Sequence, residues 1–244
     1  MNILKKSSPI DPSINFLEGR VILVNKDLDW TSFDVVNKIR FRLKNFHNVK
    51  KIKVGHNGTL DPKASGLLMI FTGKYTKLIP HEENHDKTYD AIVKLGATTE
   101  SLDVETEEYD FKEFKHLANE EIIEAAHSFL GEQDQLIPIY SASKIGGKAM
   151  YKLAREGKQF EAKSKKVVFH EIEVTKIELP FVHVRIKCGK GTYIRAFARD
   201  LASKLNTSAY LYGLNRTQIA DYLIEDAWDV NTLCAKLEEI EYKS

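Results

Sequence analysis

Two cysteines in 244 residues, Cys188 and Cys234, are too few and too far apart for a disulfide framework or for any paired Cys/His metal spacing. The spacing predicts two reduced thiols. No apolar run approaches the ~20 residues that cross a bilayer, and the opening MNILKKSSPI lacks the apolar core of a signal peptide. A cytoplasmic chain with no membrane partner is the expectation. Internal repeats and low-complexity tracts are also missing. What remains is an ordinary globular balance, 43% hydrophobic and 29% charged, in a chain long enough to bury a sizeable core.

A surplus of one charge sign is missing too. The formal net charge is +1, which argues against a nucleic-acid partner only if charge is spread evenly. It is not. Between Val35 and Leu60 there is no acidic residue, while Lys38, Arg40, Arg42, Lys44, Lys50, Lys51 and Lys53 accumulate. From Glu100 to Glu124 ten acidic residues face only Lys112 and Lys115. Isolated charge runs are usually solvated faces; segregation around one candidate site makes RNA a plausible partner.

Hydrophobic period predicts a mixture of strands and helices. Val21 to Asn25 reads as a strand, followed by the turn-like KDLDWTS and a basic helix through Val36, Ile39 and Leu43 that Thr31 or Ser32 could cap. Leu67 to Phe71 reads as a buried strand, and Tyr89 to Leu95 as a strand with Ala91, Val93 and Leu95 on one face. Asn119 to Leu130 has helical spacing, with Asn119 placed to cap its start and Gly131 its end. Val167 to Leu179 and Phe181 to Cys188 form a predicted hairpin, with Val182, Val184, Ile186 and Cys188 facing one way. From Ile194 the period becomes helical through Ala198, Leu201 and Leu205, with Arg195 and Arg199 directed elsewhere. Without regular βαβ alternation this is an α+β chain with a mixed or antiparallel sheet flanked by helices and loops.

The segment GHNGTLDPKASGLL, Gly55 to Leu68, sets one carboxylate, Asp61, among turn-forming residues, with His56 five positions upstream. Gly55 and Gly58 permit backbone conformations closed to other residues, Pro62 biases Asp61 toward an extended conformation, and Gly66 lets the chain approach something closely. On residue types alone, an Asx turn capping a helix explains the segment equally well. Two literal motif matches compete. His81 to His85, HEENH, fits the zinc-protease pattern, but Pro80, Asn84 and Asp86 weaken a helix there. Ser141 to Lys144, SASK, fits the serine acyl-enzyme pattern without its companion motifs.

GHNGTLDPKASGLL resembles the signature of pseudouridine synthases of the TruB type, which isomerise a uridine in the T arm of tRNA; dyskerin-type enzymes share a related form. Further matches are DKTYDA at Asp86 to Ala91, SASKIGGKAMYKLAREG from Ser141, KGTYIR at Lys190 to Arg195 and GLNRTQ at Gly213 to Gln218, in order from about Gly19 to about Trp228. The resemblance implies a single pseudouridine synthase domain over the whole chain, with a short N-terminal extension. It makes Asp61 the catalytic aspartate, Tyr89 the ring that stacks on the flipped uracil, and Tyr193 and Arg195 an aromatic and an arginine beside that aspartate, the arginine lowering its pKa. His56 fills the space left by the flipped base, and Lys26, Lys77, Asp103, Leu214 and Arg216 take supporting roles. It implies no cofactor, a T-arm stem-loop of tRNA as partner, no obligate protein partner and a monomer. Two departures stand out: Asn57 replaces the family's common threonine, and the chain stops soon after Trp228, where many members continue into an RNA-binding PUA domain.

Without the resemblance, Tyr193 and Arg195 at a helix start read more simply as a packing aromatic and a solvated cation, and Tyr89 as a core aromatic. Two other functions remain open at this point, a silent RNA-binding protein on the same scaffold and a guide-directed enzyme of the dyskerin kind. The presence of Asp61, Tyr89 and Arg195 speaks against the first, and the short form against the second.

Overall fold

The computed structural model describes residues 1–141, 144–150 and 163–240. Most of the SASKIGGKAMYKLAREG run, residues 142–143 and 151–157, lies outside them. The described chain divides into two compact units, Met1–Lys87 together with Asn215–Ser244, and Thr88–Leu214.

The first unit is a mixed sheet. Strand β1 (Ile3–Leu4) runs parallel to β2 (Val21–Lys26), which pairs antiparallel with β4 (Ser65–Thr72), Val21 opposite Phe71 and Lys26 opposite Gly66. β3 (Val54–Asn57) also lies antiparallel to β4. The runs VILV and GLLMIF do not alternate because they are buried on both faces. Ile22, Val24, Leu68 and Ile70 face one core, covered by helix α1 (Ser32–Phe46) through Val35, Val36, Ile39 and Leu43 and by a C-terminal helix (Val230–Glu239). Val21, Leu23, Leu67, Met69 and Phe71 face the other, against Ile219 and Ala227. Thr31 caps α1 in a capping box, accepting from the Asp34 backbone while the Asp34 carboxylate accepts from the Thr31 backbone. Either Thr31 or Ser32 could have capped the helix; Ser32 is its first residue.

In the second unit the hairpin is present as β11 (Ser164–Glu178) and β12 (Phe181–Cys188), with Val182, Val184, Ile186 and Cys188 all buried. On the far side of β11 lies β8 (Gly131–Leu136), antiparallel to it, and β12 neighbours β5 (Lys87–Leu95), whose odd-numbered residues are buried. α3 (Asn119–His127), the turn that follows it and α4 (Ile194–Lys204) cover β11, where Phe129 of the turn, Phe169 of β11 and Phe197 of α4 pack with ring centroids 5.3 to 6.5 Å apart. Mixed strands with helices laid on them give the expected α+β class.

Three expectations need correction. α3 ends at His127, not Leu130, because Ser128 and Phe129 tighten the last turn and leave Leu130 exposed. Asn119 is the first helical residue rather than the cap; the exposed backbone N–H of Ala118 is met instead by the Glu121 carboxylate at 2.9 Å. Gly55 does not adopt a positive φ. A Cβ there would stand 2.8 Å from Ile79 Cδ1, the tip of a side chain that can turn aside, so neither backbone conformation nor space makes glycine obligatory at this position.

Gly66 behaves as expected, and the close approach has an identity. At φ +116° it lies opposite Arg216 in the parallel pairing of β4 with the strand Ala209–Ile219, and an added Cβ would meet the Arg216 backbone O at 2.4 Å and N at 2.5 Å. Backbone cannot move aside as a side-chain tip can. Gly66→Ala should therefore lower the unfolding free energy by about 3 kcal/mol or more, read in urea melts; a change within about 0.5 kcal/mol would show that the pairing tolerates a methyl group.

Candidate active site

Asp61 occupies the bend between β3 and β4, half-buried, with its carbonyl accepting from Ala64 N at 3.1 Å. The bend is tied down at several points. Leu60 N donates to Ser32 Oγ (2.9 Å) and Ser32 Oγ donates back to Leu60 O (3.0 Å). Asp29 N donates to Pro62 O at 2.9 Å, and Lys63 pairs with the Asp29 carboxylate at 2.6 Å. Arg216, 1% exposed, donates Nε to Leu67 O (2.8 Å) and Nη2 to Gly58 O (3.0 Å), joining the start of β4 to the turn before Asp61.

The electrostatics of this unit are set by buried cations. Lys26 is fully buried at the end of β2, its ammonium donating to Asp27 O (2.9 Å) and Trp30 O (2.6 Å). Burial pushes its pKa down to about 8; the Asp61 charge opposes that shift and the Arg216 charge adds to it. Lys87, also buried, donates to Glu83 O at 2.9 Å. On β3, His56 is held below the usual histidine range, first by burial and then by the Arg216 charge, so it is neutral at pH 7. Its Nδ1 is buried with no hydrogen-bond partner among the described residues. Asn57, the departure from threonine, is buried and donates Nδ2 to Glu82 O at 2.9 Å.

Tyr89, Tyr193, Arg195 and Leu214 belong to the second unit. Tyr89 is buried on the core-facing side of β5, and Leu214 is half-buried on the strand Ala209–Ile219. Tyr193 occupies the N-cap position of α4 in an extended conformation, without a side-chain capping bond. A residue that sequence reasoning missed holds it there: buried Gln135 accepts from Tyr193 N (2.8 Å) and donates to Tyr193 O (3.1 Å). Nothing in the polar run GEQDQL marks Gln135 beforehand.

Arg195 corrects an expectation. It was to point away from the apolar face of α4, yet it is 5% exposed, and its charge is met in place. Nη1 donates to Ser101 O (2.7 Å), Nη2 to Tyr140 O (2.9 Å), and Nε stands 3.6 Å from the buried Asp103 carboxylate. A buried guanidinium is tolerable only with such a set of acceptors. Asp103, a weak match in sequence, is thereby a structural partner of Arg195, itself fixed by Ser101 Oγ (2.6 Å) and Glu105 N (2.9 Å).

Lys77 is exposed on the short 3-10 helix Gly73–Leu78 and makes no hydrogen bond or ion pair among the described residues. The HEENH pattern does not ride on one helix: the helical turn Ile79–Glu82 ends before His85, whose Nε2 pairs with Glu82 at 2.9 Å. Among the described residues no three His, Cys, Asp or Glu are placed to hold a metal ion. In SASK, Ser141 is buried and its Oγ faces Met150 Sδ at 3.7 Å, no place for a nucleophile.

The family model described as TruB family pseudouridylate synthase, N-terminal domain, matches residues 44–194. The chain belongs to that family. It is 46% identical to the tRNA pseudouridine synthase B of Phocaeicola vulgatus, over 93% of this chain and 97% of that protein. To the protein of the same name from Chloroherpeton thalassium it is 48% identical, over 90% and 91%. Among solved structures it resembles a Cbf5-Nop10-Gar1 complex (TM-score 0.62, 25% identity, 89% of this chain). It also resembles an H/ACA RNP bound to a substrate RNA containing 2'-deoxyuridine (TM-score 0.65, 23% identity, 98% of this chain). It spans 57% and 64% of those two chains. The fold is the α+β pseudouridine synthase fold.

In this TruB-family chain the burial of Lys26 has a measurable signature. Unfolded, Lys26 titrates near 10.5; folded, near 8, so between these values the unfolded chain binds the extra proton and stability rises with pH. Comparing wild type with Lys26→Met in urea melts isolates this group from other titrations. From pH 8 to 10.5 wild type should gain about 3 kcal/mol relative to the variant. A difference that stays flat with pH would mean that Lys26 is hydrated in solution.

Proposed function

We propose that this chain isomerises uridine to pseudouridine in the T loop of tRNA, acting as a cytoplasmic monomer on free tRNA without cofactor or obligate protein partner. The observation that carries this reading is the Asp61 bend, braced by Ser32 and Arg216 beside the buried Lys26 ammonium, in a TruB-family chain. Relatives that match 90% and 93% of its length are named as synthases acting on tRNA.

The reaction breaks the bond between C1′ and N1, rotates the uracil and joins C1′ to C5, after which the C5 proton is lost and N1 gains one. Atoms and electrons balance within the nucleotide. A stacked base is out of reach, so it is first flipped out of the loop at a cost of a few kcal/mol. Asp61 acts as the ionised carboxylate, attacking sugar or base or taking a sugar proton. A neutral His56 can occupy the space left in the loop without adding a further positive charge beside buried Arg216. The family likeness gives Tyr89 the stacking role, and Tyr193 and Arg195 the positioning of base and carboxylate.

Incubation of an unmodified T-arm stem-loop, with pseudouridine mapped by chemical derivatisation and primer-extension stops, tests the reading. One stop in the T loop with wild type, none with Asp61→Asn, and RNA affinity within a few fold for both is the expected result. Wild-type turnover by Asp61→Asn would remove the aspartate from the chemistry. The shared H/ACA fold raises a guide-directed reading; modification of the free stem-loop without guide RNA would exclude it.

Lys50, Lys51 and Lys53 are exposed directly before the Asp61 segment. Replacing all three by Gln should weaken RNA binding and reduce the slope of log Kd against log salt by about 2. An unchanged slope would remove them from the interface.

A further inference from the structure

α1 carries one stripe on which two large apolar rings are exposed among basic and amide side chains, with no acid on it. Phe33 and Phe41, 60% and 61% exposed, share it with Asn37, Arg40 and Lys44, at the spacing i, i+4, i+7, i+8 and i+11 of a single helical stripe. Two exposed phenylalanines on one stripe are not needed to hold the helix, whose apolar contacts come from Val35, Val36, Ile39 and Leu43 on the opposite side. Arg40 is held in a defined place over the stripe. Its Nη1 donates to Asn37 Oδ1 (2.7 Å), its Nη2 to Val54 O (3.0 Å), and its guanidinium carbon stands 5.8 Å from the Phe33 ring centroid.

The charge on the stripe itself is positive, from Arg40 and Lys44. Asp34, the single acid on α1, is bonded to Thr31 at the helix start, and half-buried Arg40 and Lys44 have no carboxylate on their stripe. At its base the stripe begins at the residue after Ser32, whose hydroxyl grips Leu60 beside Asp61.

We propose that this face of α1 is a second RNA-docking surface, on which unpaired bases of the substrate tRNA outside the reacting loop stack on Phe33 and Phe41 while Arg40 and Lys44 meet the adjoining phosphates. The proposal rests on the tRNA-modifying reading above. Every base has a π-face, so stacking platforms of this kind bind unpaired RNA without demanding a sequence, and cations alongside supply the backbone attraction. A protein partner would also be drawn to exposed aromatics, but the positive charge of Arg40 and Lys44 between and beyond the two rings favours a polyanion.

The test compares an unmodified full-length tRNA transcript with its isolated T-arm stem-loop, binding each to wild type and to three pairs of substitutions at Phe33 and Phe41. Phe33→Ala/Phe41→Ala and Phe33→Leu/Phe41→Leu should weaken binding of the full-length transcript about tenfold. Phe33→Trp/Phe41→Trp should restore it. The isolated stem-loop should lose no more than about twofold in any pair. Thermal melts establish that the variants are folded, which exposed positions should permit. Wild-type affinity in the Ala pair overturns the proposal, and so does wild-type affinity in the Leu pair, which would make the contact apolar rather than stacked. Equal losses on transcript and stem-loop also overturn it, placing the contact within the T arm. In each of those cases a T-loop stop with wild type leaves the enzymatic reading standing; no stop with wild type on either RNA would bring down that reading and the proposal with it.

Discussion

The first unit depends on one buried guanidinium. Arg216 stands in a strand whose backbone touches Gly66, and from there its side chain bonds to the carbonyls of Leu67 and Gly58. Those carbonyls flank the bend that carries Asp61. The bend is not part of a sheet ladder at this point, so its polar groups would have to be met by water or by side chains. Arg216 and Ser32 supply that satisfaction from inside. The requirement explains two otherwise separate features of the sequence: glycine at 66, because only a residue without Cβ admits the strand that bears Arg216, and a small hydroxyl at 32, because it must both donate to and accept from one residue.

Much of the fold could be read from the chain before any coordinates, and the reason is hydrophobic period. Tyr89 to Leu95 and Phe181 to Cys188 alternate because one face of each is buried and the other is not; VILV and GLLMIF run on because both faces are buried. β8 was illegible by the same logic. GEQDQL buries only Gln135, for a hydrogen-bonding purpose, and forms a strand because β11 offers it a ladder. The end of α3 was misplaced because Phe129 and Leu130 continue the apolar pattern after the backbone has left the helix, and Phe129 then packs on Phe169 and Phe197 from the turn. Periodicity reports which side chains are buried, not which backbone conformation buries them.

The site was less legible than the fold. Asp61 could be singled out from its glycines and proline, but residue types left it balanced against an ordinary turn until the ordered motifs were recognised as those of a family. Arg195 shows the limit. An arginine at the start of a helix has no pattern that distinguishes a solvated charge from a buried one, because its acceptors, the carbonyls of Ser101 and Tyr140 and the Asp103 carboxylate, are far off in sequence. Gln135 fails for the same reason: its partner is the backbone of Tyr193, and backbone leaves no mark on the sequence.

Helix α1 reconciles two demands that could have conflicted. A helix that begins beside the Asp61 bend and carries a basic run is helped by having little negative charge, yet its first turn is stabilised by an acid that meets the free backbone N–H groups. Asp34 satisfies the second demand without violating the first. Its carboxylate accepts from the Thr31 backbone at 2.9 Å and from the Thr31 hydroxyl at 2.6 Å, bonds that hold its pKa below the usual range and keep its charge directed at the helix start. The stripe of Phe33, Asn37, Arg40, Phe41 and Lys44 is then left cationic and aromatic. The one acid thus sits at the positive end of the helix and Lys38, Arg40, Arg42 and Lys44 follow it toward the negative end, an order of charge that stabilises the helix while leaving the basic run intact.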